Sequence, residues 1–431
     1  VFADIRVMRP DLQQQFIERV TDESYAAFCT SFGRDLGLAI EFRLCEMPVF
    51  VSDDLRRQLE SASIEIIRQC VSPENLKRSK ATLQPRYTVP HESAVPLFSV
   101  VDFAITQDQG GRFVPKLIEL QGFPSLFGYQ FEYASRMIDS YGLENCTPFF
   151  GGIDTEQYKN LLKTAIFANH DPAEVALMEI DPHLQKTRPD FVAMEHLVGL
   201  QTINIRDVVR HGKGLAFPRT DGSLQPLRRI FNRAIIDELD DLGVELSFAW
   251  SDDLDVEWAG HPNWYFRISK YLLPYLDHPS VPKAYVVGDL DELPADIDRY
   301  VLKPLYAFAG KGVNVAPTHD DVRAIPEAER DGWILQEKVH YAPCLPTPFG
   351  NNFVEIRVML IWLDEQQDPM PVMSLARTGR GPMMGARYNT APWTGSSGCL
   401  FTDGDLNRSM QQLSNILLQV FENRVSFLDV H

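Results

Sequence analysis

Apolar residues recur at near-helical spacing early in the chain and at alternate positions further on, and this change of period divides it. Within Asp53 to Gln69, the residues Leu55, Leu59, Ile64 and Ile67 fall on one stripe and predict an amphipathic helix. Asp11 to Glu18 predicts another, and Asp22-Glu23-Ser24 fits a helix start. Phe98 to Thr106 is rich in β-formers, Gln107 to Gly111 is turn-like and Arg112 to Gln121 reads as a return strand, so a hairpin is expected. A β-α-β rhythm follows: Val175 to Ile180 as a buried strand, Thr187 to Val198 as a helix, Gln201 to Ile205 as a second strand. Tyr300 to Pro304, Trp333 to Val339 and Phe353 to Leu360 read as three later strands.

The polar residues inside these strands carry the chemistry. Glu119 and Gln121 are two apart on the return strand and therefore point to one face. Asp102 on the first strand adds a third oxygen donor, and an Asp, a Glu and an amide oxygen make a hard set suited to Mg²⁺. Asp102 and Glu119 share a face only in a register that pairs positions with an odd index sum, because a one-residue slip turns one carboxylate away. Taken alone, such a hairpin reads more readily as an ordinary solvated one. Lys303 sits in an apolar strand followed by Ala307-Phe308-Ala309-Gly310-Lys311-Gly312-Val313, and a lysine beside a short glycine loop is a phosphate cradle. The P-loop pattern is absent, since no Ser or Thr follows a Gly-Lys pair. Ser269-Lys270-Tyr271 supplies a second lysine upstream, and Gln336-Glu337-Lys338-Val339 leaves the loop region as a strand.

That cyclic order of motifs resembles the ATP-grasp superfamily, and the acidic hairpin lying ahead of the nucleotide-binding half resembles its circularly permuted group, typified by glutathionylspermidine synthetase. The resemblance covers roughly 96 to 135 and 262 to 400. It implies an α/β (α+β) chain with a permuted ATP-grasp fold. The expected parts are an N-terminal helical segment (1–95), the metal-binding hairpin (96–135), a Rossmann-like unit (136–262), a lid (263–335) and the rest of the large lobe (336–431). It implies ATP and Mg²⁺ as cofactors. Lys270 and Lys303 would contact phosphate, with the backbone at Gly310 and Gly312 closing over it and Lys311 either joining them or pointing to solvent. Backbone groups of Lys338 and Val339 would read the adenine edge, with Glu337 beside the nucleotide. Asp102, Glu119 and Gln121 would hold the metal, although Gln121 stands where Asn is more usual.

Arg357, in the alternating strand Phe353 to Leu360, would meet the transferred phosphate; an ion pair with Glu355 or with a neighbouring strand is the structural alternative. Met373 to Cys399 reads as a flexible loop that combines three arginines with five glycines; Arg377 and Arg387 would clamp a carboxylate or acyl phosphate, and Asn389 would join the metal or phosphate shell. Leu227 to Arg233 places Arg228, Arg229 and Arg233 beside apolar residues, as an anionic-substrate contact or a solvated edge. The implied reaction is ADP-forming ligation of a carboxylate to an amine, or less often a thiol, through an acyl phosphate. The substrates would be a small carboxylate and an amine, or a peptide. The rivals are a non-catalytic nucleotide-binding protein and a phosphotransferase. No segment resembles the cysteine amidase of the bifunctional synthetases.

Composition narrows the partners. With 431 residues, 45% of them hydrophobic, the chain is long enough for more than one core. Its formal charge of −18 argues against generic binding to nucleic acid or anionic membranes. No apolar run approaches the roughly 18 to 20 residues that span a bilayer, and no leader pattern is evident, so a cytoplasmic protein is expected. A homo-oligomer is compatible with all of this. Cys29, Cys45, Cys70, Cys146, Cys344 and Cys399 are widely spaced without a CxxC pair, which suggests inert thiols rather than a disulfide framework or zinc knuckle.

Overall fold

Side-chain caps open the helices of the first segment after the first one, which starts at Pro10 without a side-chain cap. The computed structural model describes residues 8–305, 312–364, 366–381, 383–385 and 388–402. After α1 (Pro10–Ile17), Thr21 accepts the Ser24 N–H and Ser24 returns the bond, closing a capping box on α2 (Asp22–Leu36). Ser52 caps α3 (Asp53–Cys70) through the Leu55 N–H, and α4 (Pro73–Ser79) follows with Pro73 in its first turn. The stripe of α3 buries Leu55, Leu59, Ile66 and Ile67, while Ile64 is only half-buried.

The hairpin β1 (Phe98–Gln107) and β2 (Phe113–Gln121) turns on Asp108, whose carboxylate accepts the N–H groups of Gly110 and Arg112. Helices α5 (Phe127–Tyr141) and α6 (Thr155–Phe167) then lead to β3 (Val175–Glu179), α7 (Arg188–Val198) and β4 (Gln201–Asn204). Two further strands, β5 (Arg229–Asn232) and β6 (Glu257–Ala259), complete a four-stranded parallel sheet of order β6-β5-β3-β4. This is the β-α-β rhythm read from the sequence, extended by two strands. A three-stranded antiparallel sheet over 209–227 sits between β4 and β5 in the chain.

Lys270 does not lie in an α-helix: Lys270–Tyr275 is a 3₁₀ segment with Pro274 inside it, and a proline supplies no N–H for α-helical bonding. Next come β7 (Ala284–Val286), β8 (Tyr300–Pro304) and β9 (Trp333–Glu337), which form an antiparallel sheet with β9 in the centre. The last long strands are β10 (Gly350–Ile361), β11 (Met370–Gly379) and β12 (Gly395–Thr402). They return to the early hairpin: the large sheet runs β12-β11-β10-β1-β2, with Val49–Phe50 on the far side of β12. Nearly every residue of β1 and β10 is buried, as expected of central strands covered on both faces.

One face of that sheet, through Val101, Phe103, Ile356 and Val358, packs with α3. The other, through Phe98, Val100, Met359 and Ile361, packs with Phe127, Phe131, Phe191 and Leu177 from α5, α7 and β3. Each such side chain contributes up to about 1.5–3 kcal/mol of apolar burial. Among the described residues no helix is long and apolar enough to cross a membrane.

Candidate functional site

Cross-strand pairing puts the charged residues of the large sheet on one face, in two neighbouring rows. Asp102 of β1 pairs with Glu119 of β2 on one side and with Arg357 of β10 on the other, and Glu355 of β10 pairs with Arg377 of β11. Directly paired residues share a face. A bulge between Asp102 and Phe103 shifts the register just beyond the pair, so that Leu117 faces Phe103 on the opposite, apolar side. Gln121 pairs with Val100 and keeps Glu119's face.

The row is tightly bonded. Arg357 forks onto Asp102 with Nε–Oδ1 2.6 Å and Nη2–Oδ2 2.7 Å, and Arg377 Nη1 reaches Asp102 Oδ2 at 3.2 Å while also pairing with Glu355. Tyr341 donates its hydroxyl to Glu355 at 2.9 Å. Lys270 Nζ lies 3.1 Å from Glu119 Oε1, which also accepts from the Gln121 amide at 3.1 Å. Lys303, on β8, donates to the Ile118 carbonyl at 3.2 Å and to Gln336 Oε1 at 2.5 Å, and Gln336 donates in turn to the Leu117 carbonyl. Burial would raise the Asp102 carboxyl, but Arg357 and then Arg377 overcome it and hold it at about 2. Burial would raise Glu119 too, but Lys270 and the Gln121 amide together bring it below its ordinary value. Burial raises Glu355 despite Arg377, and burial lowers Lys303 to about 8, offset in part by Glu119.

Six of the expected site residues therefore converge: Lys270, Lys303, Asp102, Glu119, Arg357 and Arg377, with Gln121 at the edge. Gly312 is described with φ +73°, and a Cβ there would meet Pro304 at 3.1 Å, so only glycine suits it. Gly310, Lys311 and Arg387 lie outside the described residues. Glu337 is on the other side of its sheet. It pairs with Tyr300 whereas Lys303 pairs with Ile334, and its carboxylate meets Arg299 at 2.9 Å. Gln336, which the sequence did not distinguish from Glu337, takes the position against Lys303; strand alternation from Lys303 was the signal available. The Lys338 N–H is donated to the Arg299 carbonyl, and Val339 is half-buried just beyond β9. Asn389 donates to the carbonyls of Met383 and Gly385 and braces its own loop.

For a divalent cation the donors divide. Both Asp102 oxygens are taken by guanidinium groups, and among the described residues no three His, Cys, Asp or Glu side chains are placed to hold a metal. Glu119, whose side chain is 24% exposed, and the adjacent Gln121 amide remain as a donor pair, which suits Mg²⁺ when phosphate and water supply the rest of its octahedron.

A second polar cluster lies at the C-terminal ends of the parallel strands, where open α/β sheets hold ligands. Glu179 ends β3, Asn232 ends β5 and Arg233 follows, with all three buried. The Arg233 guanidinium lies over Phe123, at 5.1 Å, and Phe191, at 5.5 Å, and approaches Asp190 at 3.6 Å. Its Nε and Nη1, and the Asn232 Oδ1, have no hydrogen-bond partner among the described residues. Asp190 is committed elsewhere, accepting the N–H groups of Leu126, Gly128 and Tyr129 at the start of α5. Burial pushes the Glu179 carboxyl up to about 7 against the pull of Arg233. Arg228 and Arg229 instead pair with Asp255 and Glu257. Phe123 follows Gln121 by two residues, and at Gly122 an added Cβ would come within 2.5 Å of the Trp264 carbonyl, so the link between the clusters permits no side chain there.

No protein-family model matches the chain, and no curated protein sequence matches it. Among solved structures it is similar to a glutathione synthetase-like effector from Globodera pallida in its apo form, with TM-score 0.54 and 14% identity over 90% of this chain and 97% of that one. At that identity the likeness is one of fold: a mixed α/β chain of the glutathione synthetase-like kind.

Proposed function

We propose that the chain is an ATP- and Mg²⁺-dependent carboxylate–amine ligase of the permuted ATP-grasp kind. One observation carries this reading: two buried lysines and two arginines, from four separate segments, converge with Glu119 at one face of the large sheet. The early hairpin completing a sheet of late strands supports the permuted order, and the glutathione synthetase-like neighbour supports an ATP-grasp type of fold. Lys270 and Lys303 would neutralise the nucleotide phosphates, and Arg357 and Arg377 the group in transfer. Mg²⁺, held by Glu119 and Gln121, would supply charge neutralisation at the phosphates. The substrate carboxylate attacks the γ-phosphorus and ADP leaves; an amine then attacks the acyl carbon and phosphate leaves. The residues contribute by position and charge rather than by covalent chemistry. Arg233, with two unused donors beside the turn after Gln121, suits an anionic end of one substrate.

A second reading has its own support. Asp102, Glu119 and Glu355 are already balanced by Lys270, Arg357 and Arg377, which fits a nucleotide-binding protein without turnover. Thermal unfolding with ATP and Mg²⁺, on wild type and Lys303→Ala, tests the shared site. Ligand at about a hundred times its dissociation constant adds roughly 2.7 kcal/mol, and that shift is expected to vanish in the variant. ADP release that depends on a carboxylate, with hydroxylamine trapping of the acyl phosphate, then separates ligase from binding protein. Absence of any nucleotide shift in the wild type removes both.

A further inference from the structure

Asp102 and Glu119 are direct cross-strand partners and expected co-ligands of one metal, yet their surroundings differ. A carboxylate offers about four lone-pair directions. Asp102 is 3% exposed and receives three guanidinium hydrogen bonds, two from the Arg357 fork and one from Arg377. The fork is enforced by the ladder, because Arg357 is the β10 partner of Asp102. Arg377 reaches across β10 and is shared between Asp102 and Glu355. A dication approaching Asp102 would meet two fixed positive charges and would have to break a buried bidentate pair. Glu119 stands on the outer strand, more exposed, and bonds a neutral amide and the Lys270 ammonium, with no guanidinium fork and with Lys303 bonded to the backbone beside it.

We propose that Asp102 is a positioning residue that holds Arg357 and Arg377 toward the anionic ligand, and that the divalent cation rests on Glu119 and Gln121 without it. This inference rests on the nucleotide-binding reading above. It divides the acidic pair by role: one carboxylate orients cations of the protein, the other receives a cation from solution.

Mn²⁺ binding to the full chain with ADP present, followed by electron paramagnetic resonance, tests the division in Asp102→Asn and Glu119→Gln. Loss of a true metal contact is expected to weaken Mn²⁺ by more than about tenfold in Glu119→Gln, with Asp102→Asn within about threefold of wild type. The affinity ratio of a non-hydrolysable ATP analogue to ADP supplies a readout that general loosening would not move. It is expected to fall about tenfold in Asp102→Asn, because misdirected arginines lose a charge-assisted contact to the terminal phosphate. Mn²⁺ weakened equally in both variants, or an unchanged analogue-to-ADP ratio in Asp102→Asn, overturns the proposal. Should Asp102→Asn fail to fold, the double variant Asp102→Leu/Arg357→Met replaces the pair with apolar groups: Mn²⁺ retained there supports the proposal and Mn²⁺ lost overturns it. A wild type that binds Mn²⁺ and nucleotide keeps the functional reading whatever the variants do, and one that binds neither removes it together with this inference.

Discussion

The row on the large sheet and the cluster at the ends of the parallel strands are both buried and charged, but only the first is complete. Around Asp102, each carboxylate meets a guanidinium, an ammonium or a hydroxyl. Around Arg233, two guanidinium nitrogens and the Asn232 carbonyl oxygen lack partners among the described residues, and Glu179 is pushed toward its neutral form. An unsatisfied buried polar group costs about 1–3 kcal/mol, so the second region spends stability that the first conserves. The difference separates a site whose shape exists before any ligand arrives from one that a ligand would complete.

Breaking the complete region is expected to have the largest effect. Asp102→Ala leaves the 6%-exposed Arg357 without its fork partner and Arg377 with Glu355 alone, and removing one member of a buried pair costs about 3–5 kcal/mol. Denaturant unfolding should register this as a lower midpoint with little change in slope. The Asp102→Leu/Arg357→Met double variant should recover most of the loss; equal instability in the two would mean that the row is not a balanced pair.

The incomplete region is expected to show itself through pH. The Glu179 carboxyl is raised from 4.5 to about 7 in the folded chain, so between those values the folded state keeps a proton that the unfolded state has released. Stability is then greatest below the unfolded value and declines as pH rises through the folded one, by about 3 kcal/mol at 1.36 kcal/mol per unit. Glu179→Gln should remove this part of the slope between pH 5 and pH 7. A saturating anionic ligand at Arg233 would alter it in the wild type alone. An identical pH profile in variant and wild type would contradict the account of Glu179.

How much of this was legible depended on whether the information was local. The face shared by Glu119 and Gln121 follows from strand periodicity, and the turn at Asp108 from its residues, so the hairpin could be read directly. The Arg357–Asp102 fork spans 255 positions in the chain, and only the pairing of β10 with β1 creates it. Among Arg228, Arg229 and Arg233 the composition is uniform, and the packing of Phe123 and Phe191 singles out one of them. Lys270 was recognised by its neighbours, while the 3₁₀ form of the segment that holds it follows from Pro274.

The smallest expected effect comes from the adjacent pair Gln336 and Glu337, of which Gln336 is the one that meets Lys303. Glu337 faces away from Lys303 and meets Arg299 across a surface where the two side chains are 38% and 63% exposed, a pair worth roughly 0–1 kcal/mol. Glu337→Ala should therefore change the melting temperature little and leave the nucleotide-induced shift intact. Gln336→Ala removes the amide that bridges Lys303 and the Leu117 carbonyl at 1% exposure, and should cost more in stability and free the Lys303 ammonium from its fixed direction. If Glu337→Ala abolished the nucleotide shift and Gln336→Ala kept it, the ligand would lie on the Tyr300 face of the sheet, and the row through Asp102 would be an internal brace.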